Sequence, residues 1–276
     1  MKAARFDYLR PASVVEAVAA LAQDAGAKPV AGGQSLGPML NLRLARPSTL
    51  VDVSKIADLR RVDERPDGVL YGAAITHAEF EDGTVPDPTP GFLARVAHGI
   101  AYRAVRNRGT VGGSLVHADP AADWPTTLTA LGARVVLAGP SGARELALED
   151  FILGAFSTAL ADGEIVTGVF IPRCSPQARF GYRKSCRKVG EFAEAMCAVL
   201  ADPARGVHRL VVGATEGRHI VVTEAAAVIA DPALLDARLT AAGLAAEPAT
   251  LRLHQKVVRQ AIEQLTTVPE TESLPA

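Results

Sequence analysis

The sequence predicts an α+β protein, and three observations carry that reading. The stretch Lys28-Pro29-Val30-Ala31-Gly32-Gly33-Gln34-Ser35-Leu36-Gly37 runs from a short apolar strand through a glycine pair into a helix start. About eighty positions later Arg108-Gly109-Thr110-Val111-Gly112-Gly113-Ser114-Leu115 repeats the pattern, leading into Val116-His117-Ala118-Asp119-Pro120 and Asp123. The last hundred or so residues, by contrast, read as strands first and helices after, which is the order of an antiparallel sheet covered on one face by helices.

Taken in order, Ser13 and Glu16 form a Ser-x-x-Glu capping box, and Val14, Ala17, Val18 and Leu21 recur at helical spacing until Gly26. Residues 29–53 then make a strand–helix–strand unit ending in Leu50-Val51-Asp52. A second segment opens with the strand Val69–Ala73 and a Thr76-x-x-Glu79 cap. It continues through a proline-rich loop into a helix with Phe92, Leu93, Val96 and Ile100 on one face. Beyond the second glycine pair a helix from Pro125 to Leu131 precedes two strands joined by Gly139-Pro140-Ser141-Gly142, a hairpin signal. The strand Glu164–Ile171 is stopped by Pro172, which places a boundary between residues 1–173, divided near residue 56 into 1–56 and 57–173, and residues 174–276. The second part holds strands around Phe180–Lys184, Met196–Ala201 and Val207–Gly213, helices around Pro232–Ala242 and Ala249–Leu265, and a tail, Thr267–Ala276, expected to fray.

Composition narrows the function. With 276 residues, 49% apolar and 21% charged, the chain can bury real cores. A net charge of −1 and 5% aromatics offer nucleic acid neither a basic face nor stacking platforms. No run approaches the ~20 apolar residues of a membrane span, and Met1–Asp7 lacks a signal-peptide core, so a cytoplasmic location is expected. Cys174, Cys186 and Cys197 fit no zinc, haem or iron–sulfur spacing, and the six histidines form no metal-binding pair. No metal ligand is assigned.

A glycine pair followed by a helix suits an anion, because glycine lets the backbone approach closely and the first helical amides lack partners. Two such stretches fit the two phosphates of a dinucleotide. Each alone is as well explained by a tight turn, and neither matches a P-loop or the Gly-x-Gly-x-x-Gly fingerprint. The spacing leaves both readings open.

Taken together, Ala31-Gly32-Gly33-Gln34-Ser35-Leu36, Thr110-Val111-Gly112-Gly113-Ser114 with Ala118-Asp119-Pro120 and Asp123, and Lys184-x-x-Arg187-Lys188-x-Gly190-Glu191-Phe192-Ala193 resemble the FAD-binding medium subunit of the molybdenum hydroxylases. That group includes carbon monoxide dehydrogenase and the flavin domains of xanthine dehydrogenases, and the resemblance covers essentially the whole chain. It implies a vanillyl-alcohol-oxidase/PCMH-type FAD-binding domain of two α/β subdomains followed by a smaller C-terminal flavoprotein domain. On that pattern the backbone amides from Val30 through Ala31, Gly32, Gly33, Gln34 and Ser35 to Leu36, with those of Gly113 and Ser114, cradle the cofactor. The side chains of Thr110, Ser114, His117 and Asp123 bond the nucleotide, Gly112 and Val116 lie within the same segment, Val166 meets its apolar part, and Lys184 and Phe192 approach from the C-terminal domain.

The sequence departs from the family at three of these positions: Gln34 stands where many relatives have His, Ser114 where Asn is common, and Phe192 where some have Tyr. These changes touch flavin tuning rather than backbone contacts. Without the resemblance, Lys184, Arg187 and Lys188 read as a solvated face, Asp123 reads equally as a helix N-cap, and His117 as an ordinary partly buried histidine. The function implied is an electron-transfer flavoprotein subunit with no catalytic acid, base or nucleophile of its own. Its partners would be an iron–sulfur small subunit and a molybdenum-cofactor large subunit, in a dimer of heterotrimers. A self-contained FAD oxidoreductase and a nucleotide-binding interaction module are the alternatives.

Overall fold

A computed structural model describes residues 2–244 and 247–266. The tail expected to fray lies outside the described residues. Among the described residues three larger sheets and one two-stranded hairpin carry the chain.

The first sheet is parallel, with β3 (Thr49–Asp52) between β1 (Asp7–Leu9) and β2 (Lys28–Val30). Parallel neighbours need a crossover, and α1 (Val14–Gln23) and α2 (Leu36–Asn41) supply it. Successive side chains of β3 face opposite ways: Leu50 packs with Leu40 of α2, and Val51 with Ala17 and Leu21 of α1. At the start of α1 the Ser13 hydroxyl accepts from the Glu16 amide, while the Glu16 carboxylate accepts from the Ala12 amide, one residue earlier than a reciprocal box requires.

The second sheet has five strands in the order β4 (Val62–Arg65), β5 (Gly68–Gly72), β10 (Ile165–Pro172), β6 (Arg134–Gly139) and β7 (Gly142–Ala147). It is antiparallel throughout. Where the first sheet has helical crossovers, the strands of the second are joined by tight hairpins or across a helical insertion. That insertion comprises α3 (His77–Glu81), α4 (Phe92–His98), α5 (Arg103–Arg106), α6 (Val111–His117) and α7 (Asp123–Ala130). Its apolar residues bury Tyr71, Phe80, Trp124, Leu128, Val135 and Val169 in one core. The Thr76–Glu79 capping box forms in full at α3, and α8 (Leu148–Phe151) with the hairpin β8 (Ile152–Gly154) and β9 (Ser157–Thr158) leads into β10.

The third sheet follows the order β11 (Arg179–Ser185), β12 (Ala195–Asp202), β13 (Val207–Gly213), β14 (Ile220–Val221) and is also antiparallel. Helices α9 (Ala225–Ala230), α10 (Leu235–Ala241) and α11 (Pro248–Glu263) cover one face, against Ala195, Cys197 and Val199. The other face is not open as expected. Ala198 of β12 and Val211 of β13 pack on Ala130 of α7, and a Cβ on Gly213 would lie 1.9 Å from Thr126 Oγ1. All eight residues of α7 are buried, since it is a shared wall between the second and third sheets.

Candidate functional site

The two glycine stretches meet. Beyond β2 the chain turns at Gly33, whose φ of 71° belongs to the left-handed region that glycine occupies without strain. Gly32 is needed for a different reason: a Cβ there would sit 1.9 Å from the carbonyl oxygen of Arg108. The Gly32 carbonyl accepts from Gln34 Nε2 at 2.9 Å and from Arg108 Nε at 3.3 Å, so both side chains brace the turn. Helix α2 follows with no side-chain cap at Ser35. Among the described residues the amides of Gly33, Gln34, Ser35 and Leu36 donate to no group of the chain, while the Gly33 and Ser35 carbonyls accept from Gly37 and Met39. Around Gly33 only Val30 Cγ2, at 3.7 Å, approaches the place of a Cβ. A ligand phosphate has both room and donors here.

The second glycine pair is not a turn. Thr110 is the N-cap of α6, and Gly112 and Gly113 lie in its first turn. Here the amides are taken: Val111 donates to Ile75 O, Gly112 to Ala73 O, Gly113 to Thr110 Oγ1 at 3.1 Å and Ser114 to Thr110 O. The Gly113 and Ser114 amides, expected to cradle the cofactor, donate within the chain to the hydroxyl and the carbonyl of the N-cap Thr110, while the segment after β5 takes those of Val111 and Gly112. Gly112 instead permits close packing, since a Cβ would lie 2.5 Å from that of Ala73.

Further along α6, Val116 is exposed, Ser114 is half-buried, and His117 tilts against Phe156 with ring centroids 5.1 Å apart. Ala101, Ala118 and Phe156 all adopt positive φ near these segments, a conformation that non-glycine residues hold only where the surroundings enforce it. Phe156 N–H donates to Ala118 O at 2.9 Å, which fixes one such pair.

Asp123 is not a helix cap; that position belongs to Ala122. Its buried carboxylate Oδ1 accepts from Lys184 Nζ at 2.7 Å and from the Tyr182 hydroxyl, and Lys184 donates also to Gly99 O at 2.7 Å. Lys184 is therefore no solvated charge: its side chain is 13% exposed. Burial, and then the Asp123 charge, push the Tyr182 phenol well above its ordinary range. Among the described residues Asp123 Oδ2 accepts no hydrogen bond, leaving one anionic acceptor for a ligand hydroxyl. Phe192 is exposed beside Gly190, where a Cβ would lie 2.9 Å from Ala101 O, whereas Val166 is buried in the core of the second sheet rather than on an open surface.

Residues 99–110 thus form the spine of the site, and several of its supports were not singled out in the sequence. Arg106 is buried, holds Glu81 through Nε and Nη2 at 2.6 and 2.8 Å, and donates to Ile100 O and Ala101 O. Burial alone would raise the Glu81 carboxyl; the bonds from Arg106 and His98 hold it below the usual range instead. His77 lies under Gly109, its amide donating to Gly109 O and its Nδ1 accepting from Trp124 Nε1 at 2.9 Å. Burial, helped by the Arg106 charge, pushes this imidazole down to about 4, so it is neutral. Only the Thr76 cap, which fixes its neighbour, pointed toward it. A groove of about 510 Å3 lies elsewhere, on the five-stranded sheet beside Arg61, Leu70, Val136 and Thr167, and none of the expected site residues lines it.

Comparison with known proteins places the chain in a family. Residues 4–174 match the family described as the FAD binding domain in molybdopterin dehydrogenase. The nicotine 6-hydroxylase medium subunit of Paenarthrobacter nicotinovorans is 36% identical over 245 residues, 88% of this chain and 86% of that one. The carbon monoxide dehydrogenase medium chain of Hydrogenophaga pseudoflava is 39% identical over 197 residues, 71% and 69% of the two chains. Among solved structures, carbon monoxide dehydrogenase from Hydrogenophaga pseudoflava superposes with a TM-score of 0.86 at 32% identity, covering 96% of this chain and 98% of that one. Quinoline 2-oxidoreductase from Pseudomonas putida gives 0.81 at 31%, covering 97% and 100%. The chain belongs to this family and is an FAD-binding subunit of the molybdenum hydroxylase type.

Proposed function

We propose that this chain is the electron-output subunit of a heterotrimeric molybdenum hydroxylase, receiving electrons from iron–sulfur clusters of a small subunit and delivering them to an external acceptor. A large subunit carrying the molybdenum cofactor would act on the organic substrate, and two heterotrimers would pair. Residues 1–173 would form the PCMH-type FAD-binding domain, with subdomains near 1–56 and 57–173, and residues 174–276 the C-terminal flavoprotein domain. The observation that carries the reading is the junction of the two glycine stretches, where among the described residues four consecutive amides have no acceptor, in a chain whose relatives are named as medium subunits.

Bound FAD would supply the reversible one- and two-electron redox chemistry of its flavin ring. The chain's residues would hold it. The amides of Gly33, Gln34, Ser35 and Leu36 would donate to the diphosphate, with Val30, Ala31 and Gly32 setting their direction. Asp123 Oδ2 would accept from a sugar or ribityl hydroxyl, the carboxylate being oriented by the bonds that its Oδ1 accepts from Lys184 and Tyr182. Thr110 and Gly112 would let α6 approach, Ser114, Val116 and His117 would line its exposed side, and Phe192 would cover an apolar surface. Gly113 fits as the donor to the Thr110 cap, and Val166 as packing behind the site.

The test is to purify the chain alone and analyse it for flavin, iron and molybdenum. FAD with neither metal is expected; stoichiometric metal in the single chain would overturn the division of labour.

A further inference from the structure

The segment before α6 holds three arginines, and two of them are committed. Arg103 bridges Glu81 and Asp82, and Arg106 is clasped by Glu81. Arg108 differs. Among the described residues it makes no ion pair, and its one hydrogen bond runs from Nε to Gly32 O at 3.3 Å. Its carbonyl oxygen also packs on that glycine, 1.9 Å from where a Cβ would be. Backbone and side chain of Arg108 therefore close around the turn whose next four amides are unpartnered. No other charged side chain bonds to residues 30–37 among those described.

A guanidinium has five N–H donors in a rigid fork, so four remain once Nε is used, all on the two terminal nitrogens. Such a fork matches two oxygens of a phosphate, whereas the neighbouring amides are neutral dipoles. We propose that Arg108 pairs with the diphosphate of the bound dinucleotide: Nε on Gly32 O fixes the plane of the fork, and the terminal nitrogens bond phosphate oxygens. The second glycine stretch then contributes a charge to the cradle in place of the amides that its own cap has taken. The proposal rests on the FAD-binding reading above.

The test uses a flavin-depleted preparation of the full chain, with any partner chains that accompany it, and reads the FAD dissociation constant from flavin fluorescence at low and high salt. Arg108→Met is expected to bind about tenfold more weakly at low salt, a modest factor because the side chain is exposed and screened. Its affinity should also depend less on salt than that of the wild type. Arg108→Lys, which keeps the charge without the fork, should recover the salt dependence and only part of the affinity. An Arg108→Met protein with wild-type affinity, or one that binds more weakly with the wild-type salt dependence, would overturn the proposal; the second result would reduce Arg108 to a brace for Gly32. A wild-type chain that takes up no FAD would overturn the underlying reading, and is seen before any variant is compared.

Discussion

Replacing Gly32 with alanine separates close approach from conformational freedom, because Gly32 lies outside the positive-φ set and only space forbids a side chain there. Its Cβ would meet Arg108 O at 1.9 Å, and ordinary contact begins near 3.4 Å, so the two glycine stretches must part by about 1.5 Å. Overpacking of that kind costs about 1–3 kcal/mol. A shift of this size also exceeds the tolerance of a hydrogen bond, and one charge-assisted bond lost between the cradle and a phosphate is worth ~1.5 kcal/mol or more, a tenfold weakening. Gly37→Ala is the control: no atom lies within 4 Å of its Cβ, it sits in α2, and alanine there should be neutral or slightly stabilising. Thermal unfolding with and without FAD, and the FAD dissociation constant from flavin fluorescence, read both effects. Gly32→Ala protein with wild-type Tm and wild-type affinity would refute the contact between the two stretches.

Other expectations follow from the supports of the site. Asp123→Ala leaves Lys184 buried without its counter-ion and should destabilise the chain by about 3–5 kcal/mol, with Lys184→Met in the same chain recovering part of the loss; additive effects in urea unfolding would contradict the pairing. Thr110→Val removes the cap on Gly113 and should cost about 1 kcal/mol, read as a fall in Tm. His77 and His219 are both held down to about 4 in the fold, chiefly by burial. Between about pH 6.5 and 4 the unfolded chain binds protons that the folded chain does not, so stability should fall with falling pH by up to ~1.4 kcal/mol per unit for each histidine. His77→Gln should flatten that slope in urea unfolding, and an unchanged slope would show that His77 titrates normally. The carboxyls held low, such as Glu79 and Glu81, lose their contribution only as pH falls through 4.5 and below, so the histidine slope is read above that pH.

Much of the fold was legible because its signals are local. The Thr76 box and the Gly139–Gly142 hairpin each depend on a few neighbouring residues. What escaped is non-local. The pairing of β5 with β10 joins strands on either side of a long helical insertion, and the second cover of the third sheet comes from α7. One sign of the latter was present: Trp124 to Ala133 contains no charged residue, the mark of a helix buried on every side. The site divides the same way. The spacing of Gly32 and Gly33 leaves a tight turn and a phosphate cradle both open, and it is the unpartnered amides after Gly32 in the folded chain that make room for the second. The filling of the Val111 and Gly112 amides by Ile75 O and Ala73 O depends on a segment some forty residues away, which spacing within the motif does not reveal. Arg108, His77 and Tyr182 carry no motif of their own, and only the folded chain brings them to Gly32, Gly109 and Asp123.

The most direct test of the proposed role is to tag this chain in its native host, purify what accompanies it, and measure FAD, iron and molybdenum against the chain. The account predicts FAD in a one-to-one ratio with the chain, together with iron and molybdenum that stay with separate partner chains when the tagged chain is released under mild denaturation. A tagged chain that retains FAD and is recovered alone, free of both metals, would contradict its assignment as the output subunit of a molybdenum hydroxylase.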